Sequence, residues 1–428
     1  MRAEILPFLA VLTVARTAHG EETLTLEQAV DLARARSEAA QAAQARAEAA
    51  SARVGKARAL FFPDLTLTGS YTRRLNESVR TNGARQVTIQ SRNAVQGALG
   101  LTWSLFDGRA FPLSDQAKTE QEAADLTAAE TRLEVAFEAA EAFVLALSAD
   151  QVLKAAGRRV ELAGENLGTA EGRARAGLAS VNDVTRAKLE LAAAARERTR
   201  ARDEVDRAHL RLWYLLHLEE GRVLVPPEGL FEASPGAIPA IAEIPPRLDV
   251  AAAWARSRAL ALAAEEPRRR FWPTVALTGQ YRVTNEEGFS ERNQDGFLGL
   301  QLTWVTWDGG DRAFDLRERL ALAQASRWEA QAAARGVGLE VRVAFTSWRN
   351  QQEVAGQAAE VARIAAANAE EVSELYRQGL IPALSVADAT ARLYEAEVDL
   401  ARARYGVALA LLDVRKALGQ DPLGKDAR

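Results

Sequence analysis

Cysteine is absent from this chain of 428 residues, and aromatic residues make up only 6% of it. Without cysteine, the protein has no disulfide framework, no thiolate metal site and no attachment point for a lipid anchor. With few aromatics, its apolar surface is mostly alanine, leucine and valine, which favour long packed helices over a bulky core. The 54 basic and 58 acidic residues are interleaved along the chain, which excludes the basic stripe of a nucleic-acid-binding protein.

Long apolar runs are also missing beyond the N-terminus. Residues 1–20 combine Arg2, an apolar run from Ile5 to Ala15 and the small residues before Glu21, which predicts a secretory signal peptide cleaved after Gly20. The alternative is a buried N-terminal helix. Further along, no stretch reaches the roughly 18 uncharged apolar residues of a membrane-spanning helix. A membrane location would therefore require strands.

The residue patterns of catalysis are missing as well. His209 and His217 flank an apolar run on a predicted helix, and no phosphate-binding loop occurs in the chain. Asp107 and Asp308 each precede a glycine, a combination that suits helix capping and a sharp change of chain direction. The sequence therefore predicts that the protein is not an enzyme and uses no cofactor or metal.

What the chain does contain is one unit used twice. GLTWSLFDG at 100–108 matches QLTWVTWDG at 301–309, and the turn at 176–191 matches the turn at 378–393. Proline-rich residues between the copies form either a flexible linker or a structured strap. The predicted organisation is a signal peptide at 1–20, a helix-strand-strand-helix-helix repeat at 21–218, a connector at 219–247, a second such repeat at 248–419 and a tail at 420–428.

The helices of each repeat are predicted to be very long. Between Phe111 and Ala176, and between Arg312 and Gln378, no residue after the first turn breaks a helix. About 60 residues of helix give a rod of about 90 Å. Each rod turns back at a glycine, Gly177 or Gly379, into a returning helix.

Four segments alternate apolar and polar residues with a period of two, at 64–72, 94–105, 275–282 and 298–304. Their length of about nine to eleven residues suits tilted membrane strands; the alternative is a soluble sandwich. Because lipid does not tolerate open sheet edges, membrane strands must be completed by other copies of the chain, and three copies supply twelve strands. The polar positions predicted to line the lumen are Thr66, Thr68, Ser70, Thr102, Thr278, Gln280, Gln301 and Thr303.

These features resemble the TolC-like outer membrane efflux proteins over nearly all of the chain after residue 20. The resemblance rests on the ordered duplication, the Phe62-Pro63 and Trp272-Pro273 junctions, the FDG and WDGG strand exits and the two glycine-leucine turns. It implies a mainly helical homotrimer, with a twelve-stranded transmembrane β-barrel in the outer membrane and long antiparallel helical hairpins that form a periplasmic α-barrel.

The same resemblance implies a passive exit duct of a tripartite efflux or secretion system. Its partners would be a periplasmic adaptor (a membrane fusion protein), an inner-membrane transporter and outer-membrane lipid. The alternative is a soluble periplasmic adaptor or coiled-coil scaffold, in which compact strand modules would bracket a single hairpin.

The resemblance finally implies a gate at the periplasmic turns. Asp183 matches the family's first-tip aspartate, Tyr376 its gating tyrosine and Asp388 its inner second-tip aspartate, whereas Ser385 and Ile381 replace an outer aspartate and a bridging arginine. We therefore expect one cation-binding carboxylate ring and a loosely held closed state; alternatively, the two aspartates only cap helices. The tips expected to contact the adaptor are Gly177, Leu178, Ala179, Ser180, Val181, Gly379, Leu380, Ile381, Pro382, Ala383 and Leu384.

Overall fold

The computed structural model describes residues 23–83, 85–219, 221–229, 231, 233–240, 244–286 and 292–424. The expected signal peptide lies outside these residues. In the described part of the chain, no helix is both long enough and apolar enough to cross a membrane. The helices are α1 (Leu26–Arg36), α2 (Glu38–Ala59), α3 (Ala110–Arg175), α4 (Val181–Leu216), α5 (Leu248–Ala263), α6 (Glu265–Arg269), α7 (Asp311–Gln378) and α8 (Ala383–Ala417).

The strands are short apart from those of one sheet. They are β1 (Thr23–Leu24), β2 (Asp64–Arg73), β3 (Ser78–Asn82), β4 (Arg85–Gln90), β5 (Asn93–Phe106), β6 (Val223–Leu224), β7 (Thr274–Thr284) and β8 (Gln294–Thr303).

The two long helices confirm the prediction from the sequence. α3 has 66 residues and α7 has 68. Pro112 lies in the first turn of α3, where a missing backbone N–H breaks no helical hydrogen bond. Both helices end before a glycine with a left-handed backbone, Gly177 at φ 72° and Gly379 at φ 84°.

The main sheet contains the four predicted strands in the order β2-β5-β7-β8, and all of its pairs are antiparallel. Its register aligns Leu67 with Leu99, Leu99 with Tyr281, and Leu277 with Leu300. Paired residues share a face, so the apolar positions of all four strands form one continuous surface.

Besides the four predicted strands, the described residues contain four that the sequence did not predict. β3 and β4 form a hairpin in the loop between β2 and β5. An irregularity in their pairing between Ser78 and Val79 interrupts the period of two. β1 and β6 pair in parallel over only two residues each, which is too short for alternation to be visible. The connector is a structured strap in part, since Val223 pairs with Thr23 and the Phe231 ring lies edge-on at 5.0 Å from the Tyr405 ring.

The chain divides into two compact units. One contains residues 1–37, 136–236 and 346–413, and the other contains residues 38–135, 237–345 and 414–428. In the first unit, Val152, Ala155 and Ala201 belong to a buried cluster; in the second, Ala43, Ala47 and Ala128 form one. Alanine at these positions lets the helix backbones approach closely, as the composition predicts.

Candidate functional site

Both hairpin turns use the same backbone motif. The N–H of Leu178 donates to the Arg173 carbonyl at 2.8 Å, and the N–H of Leu380 donates to the Leu375 carbonyl at 3.0 Å. In each case a glycine in the left-handed conformation precedes the leucine, which closes the helix C-terminus without steric cost. The two predicted turns therefore end their first helix in the same way.

The first turn continues into α4 through a side-chain cap. The Ser180 hydroxyl accepts the Asp183 N–H at 3.2 Å, and the Asp183 carboxylate accepts the Ser180 N–H at 3.0 Å. The Ser180 hydroxyl also donates to the Asp183 carboxylate at 2.9 Å. This hydrogen bond, together with the one from the Ser180 N–H, holds the pKa of Asp183 below its ordinary value. Asp183 thus caps α4, as the alternative interpretation holds, and its role in a gate stays a prediction.

The second turn has no such cap. Pro382 precedes α8 and offers no side-chain acceptor, and the N–H of Ser385 donates to the Pro382 carbonyl at 3.1 Å. Asp388 lies one turn further along, exposed, and pairs with Arg392 of the same helix at 2.9 Å. Asp388 is therefore not a helix cap, and its exposed carboxylate is paired with Arg392 on the surface of α8.

Tyr376 is almost completely buried at the end of α7, with 4% of its surface exposed. It packs with Ala383 and Val386, and partly buried Val372 and Ile381 lie against this cluster. Burial raises the pKa of its hydroxyl. The side chain therefore acts as an apolar anchor between α7 and α8 in this state.

Arg173, from the end of α3, ties the first turn to the second. Its Nη1 donates to the Tyr376 carbonyl, and its guanidinium lies 5.1 Å from the Tyr376 ring centre. The group comes so close that a Cβ on Gly379 would lie 2.9 Å from Arg173 Nη2. Within the described residues, Arg173 Nε and Tyr376 Oη are buried without a hydrogen-bond partner. The sequence analysis missed Arg173, because nothing in the pattern distinguishes it from the other helical arginines.

The tips expected to contact an adaptor are mostly exposed and apolar. Leu178 is 70% exposed and Leu380 is 67% exposed, and Val181 and Leu384 are also exposed. Ala383 is buried beside Tyr376, and Ile381 is partly buried against the same cluster. Each turn therefore presents two large apolar side chains to its surroundings.

The eight predicted lumen positions share one face of the sheet. Thr66 pairs with Gly100 and Ser70 with Gln96 on β2 and β5, and Thr102 pairs with Thr278 across β5 and β7. Their lumen role stays a prediction. The other positions on this face follow from the same register: Thr68 opposite Ala98, Gln280 opposite Phe297, Gln301 opposite Ala276 and Thr303 opposite Thr274.

Both copies also share a contact where the helix meets the sheet. The Trp103 indole N–H donates to the Phe61 carbonyl at 3.1 Å, and the Trp304 indole N–H donates to the Phe271 carbonyl at 3.1 Å. Indoles that are apolar at one end and hydrogen-bonded at the other favour a membrane interface. Among the described residues, no cluster of three His, Cys, Asp or Glu could hold a metal ion.

Known proteins share this architecture. A family model described as "Outer membrane efflux protein" matches residues 29–216 and 245–420. The chain is 30% identical over 154 residues to outer membrane protein TolC of Vibrio cholerae, covering 34% of this chain and 35% of that protein. It is 24% identical over 439 aligned positions to outer membrane protein TolC of Escherichia coli K12, covering 97% of this chain and 86% of that protein.

A solved structure agrees in fold. A membrane protein from Pseudomonas aeruginosa superimposes with a TM-score of 0.79 at 21% identity, covering 94% of this chain and 92% of that one. The aligned part of the Vibrio cholerae relative is only about a third of its length.

Proposed function

The chain belongs to the outer membrane efflux protein family, and from that premise we propose that three copies form the outer-membrane exit duct of a tripartite efflux or secretion system. The duct conducts passively from an inner-membrane transporter and a periplasmic adaptor to the outside. The alternative function, that of a soluble periplasmic adaptor or scaffold, would require a single helical hairpin, whereas this chain has two.

The observation that carries this proposal is the sheet. Its inner strands β5 and β7 are fully paired, but within the described residues β2 and β8 each pair on one side only. One face is apolar and exposed, with Leu67 and Leu300 among the exposed side chains. Such a sheet is stable in lipid only if its edges are paired. Pairing of β8 with β2 of the next copy closes a twelve-stranded barrel.

The absence of native cysteine makes edge pairing directly testable. A double variant, Thr66→Cys with Thr303→Cys, places one thiol on each edge strand, and neighbouring positions on the same strands scan the register. Oxidation should give a covalent trimer on a non-reducing gel for at least one register. Each single variant is the matched control and should give at most a dimer. A complete scan that yields only monomers would contradict the proposed closure.

We further propose that Arg173 replaces the missing arginine latch of the gate. Ile381 stands where a bridging arginine is expected, but the guanidinium of Arg173 reaches the Tyr376 carbonyl and ring from within the same chain. This contact links the ends of α3 and α7. Opening of the tips then requires that Arg173 leave Tyr376, and three Asp388 carboxylates near the axis bind cations in the closed state.

Conductance of the reconstituted protein tests the gate. Arg173→Gln should raise the conductance of the closed state, and Tyr376→Ala should raise it further because the anchor is lost. Asp388→Ala should weaken block by divalent cations. Arg175→Gln, an exposed arginine two residues further along the chain, is the control and should change neither property. If Asp388→Ala and Tyr376→Ala leave both conductance and cation block unchanged, the gate assignment fails.

The exposed apolar tips fit a docking role for the adaptor. Leu178 and Leu380 project from equivalent turns, so a trimer presents six such turns. Leu178→Asp with Leu380→Asp should abolish crosslinking to the adaptor, while Thr185→Asp on the flank of α4 should not. Adaptor crosslinking that survives the double substitution would place the docking surface elsewhere.

A further inference from the structure

We propose that arginines at the loop end of the β2–β5 hairpin bind phosphate groups of the glycolipid in the outer leaflet of the outer membrane. The rim arginines are Arg73, Arg80 and Arg92. The inference rests on the proposed function, because it requires the sheet to cross that membrane with its loops outside.

The position of Arg73 connects these arginines to the lipid side of the sheet. Alternation along β2 puts Arg73 on the same face as Leu65, Leu67 and Tyr71. That face is the apolar surface, and the Tyr71 hydroxyl near its end donates to Asn93 Oδ1 at 3.0 Å. A tyrosine followed by a cation on a lipid-facing stripe is the pattern expected where acyl chains give way to headgroups.

The hairpin continues beyond the sheet and carries further cations. The N–H of Arg74 donates to the Arg92 carbonyl at 2.8 Å, which joins the main ladder to β3 and β4. Arg80 pairs with Val87 on this extension. At about 3.3 Å per residue, an extension of five residues projects about 17 Å past the sheet. Arg73, Arg80 and Arg92 are all exposed.

These three arginines have no partner within the described residues, in contrast to Arg74. The guanidinium of Arg74 binds the Glu286 carboxylate, which also accepts the Ser91 N–H at 2.7 Å. One cation is thus used to tie the two loops together. Among the residues that the structure describes, no carboxylate pairs with the three rim arginines, which lie exposed on the hairpin and next to it.

The charge of this loop is unbalanced in the sequence as well. Residues 73–92 contain five arginines and one glutamate, whereas the loop of the second copy, 285–293, contains three glutamates and one arginine. The position in β7 that corresponds to Arg73 is Val283, two residues after Tyr281 as Arg73 is two after Tyr71. The cationic rim therefore belongs to the first copy alone and is repeated three times around a trimer.

Phosphate is the chemical group that fits best. A guanidinium binds phosphate through paired N–H donors and stays charged at any physiological pH. The placement of Arg73 on the apolar face favours lipid headgroups over anionic cargo in the lumen. Each arginine near an anionic lipid surface strengthens binding by about fivefold, so three contribute roughly 100-fold.

The test uses the purified full-length trimer in detergent with vesicles that contain lipid A. Arg73→Gln, Arg80→Gln and Arg92→Gln are combined in one variant. Its matched control combines Arg53→Gln, Arg198→Gln and Arg202→Gln, which removes the same charge from exposed helical positions. The rim variant should bind these vesicles roughly 100-fold more weakly than the parent protein, and the control should bind as the parent does.

Two further arms identify the source of the phosphate and separate this inference from the proposed function. Lipid A vesicles should compete far better than inorganic phosphate; equal competition would overturn the headgroup assignment. Unchanged lipid A binding by the rim variant would also overturn it. The rim variant should still form conducting trimers. If the parent protein forms no trimers, the proposed duct fails. If the rim variant loses only its lipid binding, the duct is unaffected.

Discussion

The two repeats share their turns and their helix-to-sheet contacts, but they differ in the helix that leads into the sheet. Both copies have the same glycine turn and the same indole-to-carbonyl contact. In the first copy, α2 runs for 22 residues to the junction; in the second, α5 and α6 cover 16 and 5 residues. The duplicated features are those that set the direction of the chain, whereas local stabilisation is solved separately in each copy.

The second copy stabilises its shorter helix with charge. Glu266, 5% exposed, accepts two hydrogen bonds of 2.8 Å from Arg270 and lies 3.1 Å from Arg319. Asp315 completes the cluster at 2.9 Å from Arg270. Glu266 lies seven residues before the junction proline of the second copy. The residue at the same distance from the junction proline of the first copy is Lys56, which is exposed.

Removal of the buried carboxylate should have the largest effect. Glu266→Gln removes a buried carboxylate from between two partly exposed arginines, so the free energy of unfolding should fall by about 3 kcal/mol. The matched change, Lys56→Gln, should alter it by less than about 0.5 kcal/mol. Heat denaturation of the purified protein measures both. Equal effects would mean that the charge cluster does not distinguish the copies.

The two turn glycines should differ less strongly. Gly177→Ala meets only the cost of a left-handed backbone, about 1 kcal/mol, because nothing lies within 4 Å of its Cβ position. Gly379→Ala has the same backbone cost and also displaces Arg173, so it should lower the free energy of unfolding by about 2 kcal/mol in total. Hydrogen exchange of amides at each turn reports local opening. Faster exchange in Gly177→Ala than in Gly379→Ala would disprove the Arg173 contact.

The two junction tryptophans should behave alike. Trp103→Phe and Trp304→Phe each remove one hydrogen bond of equal length and keep an aromatic ring. Each should lower the free energy of unfolding by about 1 kcal/mol. A large difference in denaturation midpoint between the two variants would show that the junctions are not equivalent.

The smallest effect concerns pH and the first hairpin only. His209 Nε2 lies 3.3 Å from Asp150, and this hydrogen bond raises the pKa of His209; by the repeat offset, Leu411 stands in its place in the second hairpin. A raised pKa in the folded state stabilises the fold fully below the unfolded pKa of about 6.5, and the gain is lost as pH rises through the folded value.

Asp150→Asn should therefore lower the free energy of unfolding at about pH 5 by up to about 1 kcal/mol, with little effect near pH 9. Denaturation midpoints at the two pH values measure the difference. An effect that is larger at high pH would have the wrong sign for this contact. Gln151→Ala, next to it on the same helix, is a control without a titrating group.

Local patterns in the sequence predict much of this fold. The alternation at 64–72 gives the sheet face correctly because a period of two places all of its large apolar side chains on one face. Gly177 and Gly379 mark turns that only glycine forms easily. The hairpin of β3 and β4 escapes prediction because its irregularity at Ser78 disrupts the alternation. β1 and β6 escape because their pairing is non-local and only two residues long.

The candidate site is less predictable, because it depends on contacts between elements far apart in the chain. Arg173 and Tyr376 are about 200 residues apart, and neither helix pattern indicates which arginine will face the tyrosine. Asp183 shows the opposite case: the spacing of Ser180 and Asp183 is a local capping signal. In the second turn, Pro382 stands where Ser180 stands in the first, and it offers no side-chain cap.

The most direct test of the duct is single-channel conductance in a planar bilayer, with protein extracted by detergent from the outer-membrane fraction and chemical crosslinking to count chains. We predict trimers that pass current and are blocked by divalent cations added on the periplasmic side. Protein that is recovered only in the soluble fraction and passes no current would contradict the proposed function.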